Sequence, residues 1–201
     1  MFRNYTVRLL DAETGMPTCC NEVHMMTNKV SNSNLLVLGA RPAQGKSLFA
    51  LSVAKDFAID HNIPTAYFSL QMSEKQLLTR FVSQISQIDY SKIYDDKLKT
   101  CEKGSYEATL NTLKDAPLHV DDTLGLKLSE FSSRVHRFVK ENDVKLVIID
   151  YIQLMSVDAT MNLSSRQEEI VMLMYRPEYY GISVDEDGNS LRGIAYIIVA
   201  K

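Results

Sequence analysis

Residues 40–47 have the types and spacing of a phosphate-binding loop. They fit the P-loop pattern with alanine in place of its first glycine. In such a loop the backbone N–H groups and the next helix's N-terminus point at the phosphates, the lysine reaches the β- and γ-phosphates, and the hydroxyl binds Mg²⁺. The pattern therefore predicts an ATP–Mg²⁺ site, with Lys46 as its catalytic cation and Ser47 as a metal ligand. The residues expected to contact the nucleotide are Ala40, Arg41, Pro42, Ala43, Gln44, Gly45, Lys46, Ser47 and Leu48. The alternative is a glycine turn before a helix with an incidental lysine.

Asp150 supplies the acidic group that a P-loop site needs. It follows the apolar run Val147–Ile149, about a hundred residues after the loop. A carboxylate at the carboxyl end of a buried strand can hold the Mg²⁺ shell beside a P-loop. We expect Asp150 to be a catalytic residue and metal ligand, although many α/β strands end in aspartate without such a role.

The elements that must position these residues alternate between strand and helix. A buried strand is predicted at 35–38, before the loop, and a helical pattern follows to about residue 59. A later helix is predicted to place Phe131, Val135, Phe138 and Val139 in the core, and Arg134 and Arg137 on a solvated or DNA-facing surface. Ser73 and Gln76 have the spacing of a capping box at the start of another helix. The regular alternation predicts an α/β fold with a mainly parallel sheet flanked by helices. Further strands are predicted at 65–70, 117–120, 144–149, 171–175 and 194–199, and a hairpin or loop at 178–193.

Composition is that of an ordinary globular domain. The chain has 201 residues, 45% hydrophobic and 23% charged, with a net charge of −3. There is no bulk basic signature of nucleic-acid binding, although a local cluster of charge would suffice inside a ring. The three cysteines fit neither a disulfide framework nor zinc-ligand spacing, and no apolar run reaches the length of a membrane span. We therefore expect a cytoplasmic protein with no membrane partner.

Several segments in the right order resemble the ATPase motor of the DnaB-type hexameric replicative DNA helicases, a RecA-like P-loop fold. The P-loop itself, with its alanine start, is one of them. The others are Thr14–Thr18, Phe68–Met72, Asp121–Asp122 with Gly125–Leu126, Ile149–Met155, Tyr175–Arg176 with Glu178 and Tyr180, and Gly193–Lys201. On this resemblance, residues 14–201 form the motor domain and residues 1–13 are a remnant of an N-terminal lead-in or linker.

The resemblance implies an ATP-driven helicase that acts on single-stranded DNA. It would work as a homo-oligomer, a hexameric ring with ATP at the subunit interfaces, and primase and a helicase loader are its implied protein partners. Arg176 and Tyr180 would lie near the nucleotide base, and Lys201 would act across the interface. A RecA-like recombinase or a small-molecule P-loop kinase is the alternative, against which the run Tyr151–Leu154 argues.

Gln71 departs from the family at a catalytic position. The family has a glutamate here that activates the attacking water, whereas a neutral amide cannot accept a proton. General-base catalysis contributes typically about 10²–10⁴-fold. We therefore expect ATP binding with slow hydrolysis, unless Glu74 or another carboxylate substitutes. A nucleotide-binding ring subunit or scaffold that has lost hydrolysis is the alternative function, and a benign strand-end role is the alternative interpretation of Gln71.

A second departure lies between Ile170 and Val171. Residues 165–170 resemble the start of a family helix, whereas 171–175 resemble a later strand. The family's sensor strand and DNA-contacting loop, which would lie between them, have no counterpart. A helix running into a strand without a turn residue also violates ordinary loop requirements. We expect a missing segment between 170 and 171, and a truncation after Lys201 that removes the arginine finger.

Overall fold

A computed structural model describes residues 6–10, 17–18, 35–156, 169–175, 177–185, 188–192 and 194–200. Among these residues, 50–156 form one compact unit, which we call the central unit. The described residues up to 49 and from 169 onward form a second, which we call the terminal unit. The P-loop therefore belongs to the terminal unit, whereas Gln71 and Asp150 belong to the central unit.

The central unit contains a three-stranded parallel sheet with the strand order β5-β4-β6. Its middle strand, β4, is buried along its whole length, as expected for a parallel strand with helices on both faces. The strands are β4 (Thr65–Ser69), β5 (Leu118–Asp121) and β6 (Leu146–Asp150).

Helices cover both faces of this sheet. One face packs Tyr67 against Leu51, Leu77 and Phe81, which come from two helices. On the other face, Phe68 stacks edge-on against Phe131, 4.8 Å between ring centroids. The helices are α1 (Lys46–Lys55), α2 (Glu74–Ser86), α3 (Tyr90–Tyr94), α4 (Thr100–Asp115) and α5 (Leu128–Asn142). A π-helical turn, Asp56–Asp60, continues α1, and a 3-10 helix, Ile152–Leu154, follows β6.

The terminal unit contains a mixed five-stranded sheet with the order β2-β1-β8-β7-β3. The pairs β1–β8 and β3–β7 are parallel, and β7–β8 and β1–β2 are antiparallel. The strands are β1 (Thr6–Leu10), β2 (Pro17–Thr18), β3 (Leu35–Gly39), β7 (Glu169–Tyr175) and β8 (Ile194–Ala200). The strand pairs are mostly parallel, and helices flank the central sheet, which confirms the predicted α/β class.

Two predictions that rested on short sequence patterns, the capping box and the hairpin, are confirmed. The Ser73 hydroxyl accepts from the Gln76 backbone N–H, and the Gln76 side chain accepts from the Ser73 N–H, which completes the predicted capping box. The predicted hairpin closes through an antiparallel bridge between Val184 and Ser190. A 3-10 helix, Pro177–Tyr180, precedes it. No helix within the described ranges is long and apolar enough to cross a membrane.

Three predictions about individual residues were wrong. Leu35–Val37 were expected to be buried, but they are 37–42% exposed because β3 is the edge strand of its sheet. Glu169 and Ile170 were expected in the first part of a helix, but they begin β7 and pair with Leu35 and Leu36. Val139 was expected in the core, but it lies about 80° around α5 from Phe131 at 100° per residue and is 47% exposed.

Candidate functional site

The P-loop connects the end of β3 at Gly39 to the start of α1 at Lys46. Two of its residues have positive φ, Ala43 at 62° and Gly45 at 100°. The value at Gly45 lies where side chains are rarely accommodated, so the loop requires glycine there. No atom lies within 4 Å of a Cβ built on Gly45. Backbone conformation, not space, therefore excludes larger residues at this position, immediately before a helix N-terminus that favours anions.

Side chains tie the loop together from within the terminal unit. Lys46 Nζ donates to the Ala40 carbonyl oxygen at 2.9 Å, which joins the last part of the loop to its first residue. Gln44 is 2% exposed, and its Nε2 donates to the Tyr180 hydroxyl at 3.1 Å. The Arg41 guanidinium lies 5.9 Å from the centroid of the Tyr180 ring. Tyr180, which the family resemblance placed near the nucleotide base, therefore packs against the loop. Its hydrogen bond with Gln44 was not predicted, because 136 residues separate the partners.

The remaining P-loop residues differ in exposure. Arg41, Pro42 and Ala43 are exposed, whereas Ser47 and Leu48 are half-buried in the first turn of α1. Arg176, expected near the nucleotide base, and Lys201, expected at a subunit interface, lie outside the described residues.

The carboxyl edge of the central unit's sheet gathers the other predicted site residues. Asp150 ends β6, directly across from Ser69 at the end of β4. Gln71 lies two residues after Ser69 and is exposed, whereas Asp150 is buried, with 4% of its surface exposed. Ligands bind at the carboxyl edge in open α/β sheets, so this arrangement suits Asp150 and Gln71 to act on a bound group.

Asp150 accepts one hydrogen bond that sequence analysis did not predict. The hydroxyl of Tyr67, which is fully buried, donates to Asp150 Oδ2 at 3.2 Å. Burial, together with the charge of Asp150 and this hydrogen bond, raises the pKa of Tyr67 well above its usual range. The phenol is therefore neutral and can act as the donor. A tyrosine inside a buried strand is the signal that could have indicated such a partner, because a buried hydroxyl needs one.

Asp121 and Asp122, at the end of β5, have structural partners. Arg134 Nη1 donates to both Asp121 oxygens, at 2.9 and 2.6 Å, and to the Thr123 hydroxyl at 2.6 Å. Burial raises the pKa of Asp121, but the hydrogen bonds from Arg134 and Thr123 outweigh it and hold that pKa below its usual range. Asp122 Oδ2 accepts from the Glu74 backbone N–H at 2.8 Å, at the start of α2. Arg134 was expected on a solvated or DNA-facing surface, which was wrong, because its guanidinium folds back onto the sheet edge.

Comparison with known proteins identifies the family. The model of the DnaB-like helicase C-terminal domain matches residues 15–171. The chain is 33% identical over 157 residues to the replicative DNA helicase DnaB of Leifsonia xyli subsp. xyli, and 31% identical over 157 residues to that of Geobacillus stearothermophilus. Each alignment covers 78% of this chain and 34% of the relative. The chain thus spans about a third of the length of these curated relatives.

Solved structures agree in fold. A DnaB-like replicative helicase studied with primase superposes with a TM-score of 0.70 at 19% identity, over 84% of this chain and 53% of that one. A second solved structure, of an isolated ATPase domain, gives a TM-score of 0.71 at 20% identity, over 85% of this chain and 77% of that one. The P-loop, the buried aspartate at the sheet edge and the family match over more than half of the residues lead to one assignment: this chain belongs to the DnaB-like helicase C-terminal domain family.

Proposed function

We propose that this chain is the ATP-binding motor domain of a replicative DNA helicase. The observation that carries the proposal is the loop from Ala40 to Ser47, in which Gly45 has a φ of 100° directly before the N-terminus of α1. The loop lies within the segment that matches the helicase family. Its backbone N–H groups and the helix dipole favour a polyphosphate.

Each predicted site residue has a role in this proposal. Residues 40–48 cradle the phosphates, and the Lys46 ammonium exchanges the Ala40 carbonyl oxygen for phosphate oxygens when nucleotide binds. Ser47 and Asp150 fit Mg²⁺, because a hydroxyl and a carboxylate are the oxygen ligands that this ion prefers. Asp150 Oδ2 is engaged by Tyr67, so Oδ1 would face the ion's shell. Bound Mg²⁺ would neutralise charge on the phosphates. Arg176 would contact the adenine base of the nucleotide.

Binding of a fluorescent ATP analogue tests the nucleotide site. Lys46→Ala removes the phosphate-binding ammonium and should weaken affinity at least 10-fold, the loss expected for a charge-assisted hydrogen bond of about 1.5–3 kcal/mol. Lys55→Ala is the matched control, because Lys55 ends the same helix and pairs with Asp60. Equal affinities for the two variants would refute the assignment of the loop.

Gln71 favours a second candidate, a nucleotide-binding ring subunit or scaffold without hydrolysis. Turnover of ATP by the parent, Gln71→Glu and Glu74→Gln separates the possibilities. Slow parent turnover that rises about 10²–10⁴-fold in Gln71→Glu would identify a disabled motor site. Normal parent turnover would refute the scaffold, and its loss in Glu74→Gln would identify Glu74 as the substituting base.

The same proposal includes single-stranded DNA as the substrate, a hexameric ring as the assembly, primase and a helicase loader as protein partners, and a cytoplasmic location. The family resemblance implies all of them. The comparisons support two, DNA and primase, because the matched relatives are named replicative DNA helicases and one structural neighbour was studied with primase. Binding of single-stranded DNA that weakens steeply with salt would support phosphate contacts. A monomer with ATP–Mg²⁺ and DNA, by light scattering, would refute the ring for this chain.

A missing segment between Ile170 and Val171 also remains a proposal. The family match supports it, because that match ends at residue 171. Trypsin cuts after Arg166 and Arg192 but not before Pro177, so a directly joined chain yields one peptide, 167–192. Detecting that peptide would refute the proposal, whereas extra residues between 170 and 171 would support it.

A further inference from the structure

The geometry of two neighbouring strands brings Tyr67 to Asp150. Tyr67 on β4 is paired with Ile148 on β6, and Asp150 lies two residues farther along β6. Alternate residues of a strand share a face, so the side chains of Tyr67 and Asp150 lie on the same face in a diagonal relation. That diagonal is within reach of a long aromatic side chain, and the hydroxyl meets Oδ2 at 3.2 Å.

The ring and the hydroxyl of Tyr67 have separate roles, packing in the core and hydrogen bonding. The ring is fully buried and meets Phe81 edge-on, 6.3 Å between centroids. A phenylalanine would fill the same space, so the hydroxyl adds only its hydrogen bond. Ser69 lies directly opposite Asp150, but its hydroxyl donates a hydrogen bond to the Met72 carbonyl oxygen at 2.7 Å. Within residues 35–156, Tyr67 is the hydrogen-bond donor that reaches the Asp150 carboxylate.

We propose that Tyr67 is a positioning residue, whose hydroxyl holds one oxygen of Asp150 so that the other faces the magnesium ion of bound ATP. This rests on the proposed function, in which Asp150 contributes to the Mg²⁺ shell. A carboxylate held at one oxygen has lost the freedom to rotate before the ion arrives. Partners that orient metal-binding side chains in this way typically change metal affinity about 10–100-fold when they are removed.

Dependence of nucleotide binding on Mg²⁺ tests the role. A fluorescent ATP analogue is titrated with Mg²⁺ at fixed nucleotide, using the parent, Tyr67→Phe, Asp150→Asn and the control Tyr94→Phe, whose tyrosine is 47% exposed. We expect Tyr67→Phe to raise the half-saturating Mg²⁺ concentration about 10-fold. Its affinity for the analogue in excess chelator should match the parent's, and Tyr94→Phe should match the parent throughout.

Two comparisons separate failure of this inference from failure of the proposed function. If Asp150→Asn leaves the Mg²⁺ requirement unchanged, Asp150 has no part in the ion's shell and the proposed function fails at that residue. If Asp150→Asn raises the requirement but Tyr67→Phe leaves it unchanged or lowers it, the positioning role is overturned.

A double mutant guards against a purely structural effect. If Tyr67 acts through Asp150, adding Tyr67→Phe to Asp150→Asn changes the Mg²⁺ requirement no further. A second, independent rise in the double mutant would overturn the proposal, because it would show that Tyr67 affects the site by another route. Since Tyr67→Phe keeps the ring in the core, the fold is expected to persist, which circular dichroism checks.

Discussion

Replacing Arg134 with methionine should destabilise the central unit by about 2 kcal/mol. Arg134 donates hydrogen bonds to both carboxylate oxygens of Asp121 and to the Thr123 hydroxyl. The side chain of Asp121 is only 11% exposed. Removing one partner of a fully buried ion pair costs about 3–5 kcal/mol, whereas surface pairs contribute less than about 1 kcal/mol. The Arg134 side chain is 31% exposed, so water compensates in part and the value lies between these limits.

Urea unfolding followed by far-ultraviolet circular dichroism measures the loss. With a slope of about 2 kcal/mol per molar, a destabilisation of about 2 kcal/mol lowers the midpoint by about 1 M. Arg137→Met is the matched control, because Arg137 is exposed on the same helix and should change stability by less than about 0.5 kcal/mol. Arg134→Met leaves the Asp121 carboxylate without its ion-pair partner. The double mutant Arg134→Met/Asp121→Asn removes that charge and should therefore regain part of the lost stability. A midpoint for Arg134→Met within error of the parent would refute the buried-pair argument.

Three further predictions concern the same unit. The pKa of Asp121 is lowered in the folded state, so its stabilisation is complete above the unfolded pKa of about 4 and is lost as pH falls through the folded pKa. The stability difference between the parent and Asp121→Asn in urea should therefore shrink from about pH 6 to about pH 3; a constant difference would contradict this. Phe81→Ala, at a fully buried position, should cost about 3–5 kcal/mol in the same assay, and a loss below about 1 kcal/mol would place Phe81 outside the core. Ser73→Ala breaks the capping box and should cost about 1 kcal/mol, with faster amide exchange in the first turn of α2; unchanged exchange would argue against the cap.

What the sequence predicted well is local. The capping box needs only Ser73 and Gln76, three residues apart, and the P-loop needs eight consecutive residues with a strand before and a helix after. The strand β4 is a short apolar run whose burial follows from its central place in a parallel sheet. In each case the physical cause lies within one element or its immediate neighbours.

What the sequence did not predict depends on partners far along the chain. The strand β1 exists through pairing with β8, nearly two hundred residues later, so no local pattern marked it. The exposure of Leu35–Val37 follows from the edge position of β3, which only the strand order decides. The hydrogen bond from Tyr67 to Asp150 depends on strand register, since a slip of one residue would move the phenol to the other face.

If this chain hydrolyses ATP, the contacts of the carboxylates at the edge of the central sheet limit which of them could act as the catalytic base. Asp150 is buried and bonded to Tyr67, Asp121 is paired with Arg134, and Asp122 caps the first turn of α2. Glu74 lies three residues after Gln71, and within residues 35–156 its exposed side chain carries no hydrogen bond or ion pair that would occupy it. A base must be able to take up a proton without breaking a structural contact, and at this edge Glu74 meets that condition where the three aspartates do not. If the parent hydrolyses ATP at a normal rate despite Gln71, Glu74 is therefore the first carboxylate to which that activity should be traced.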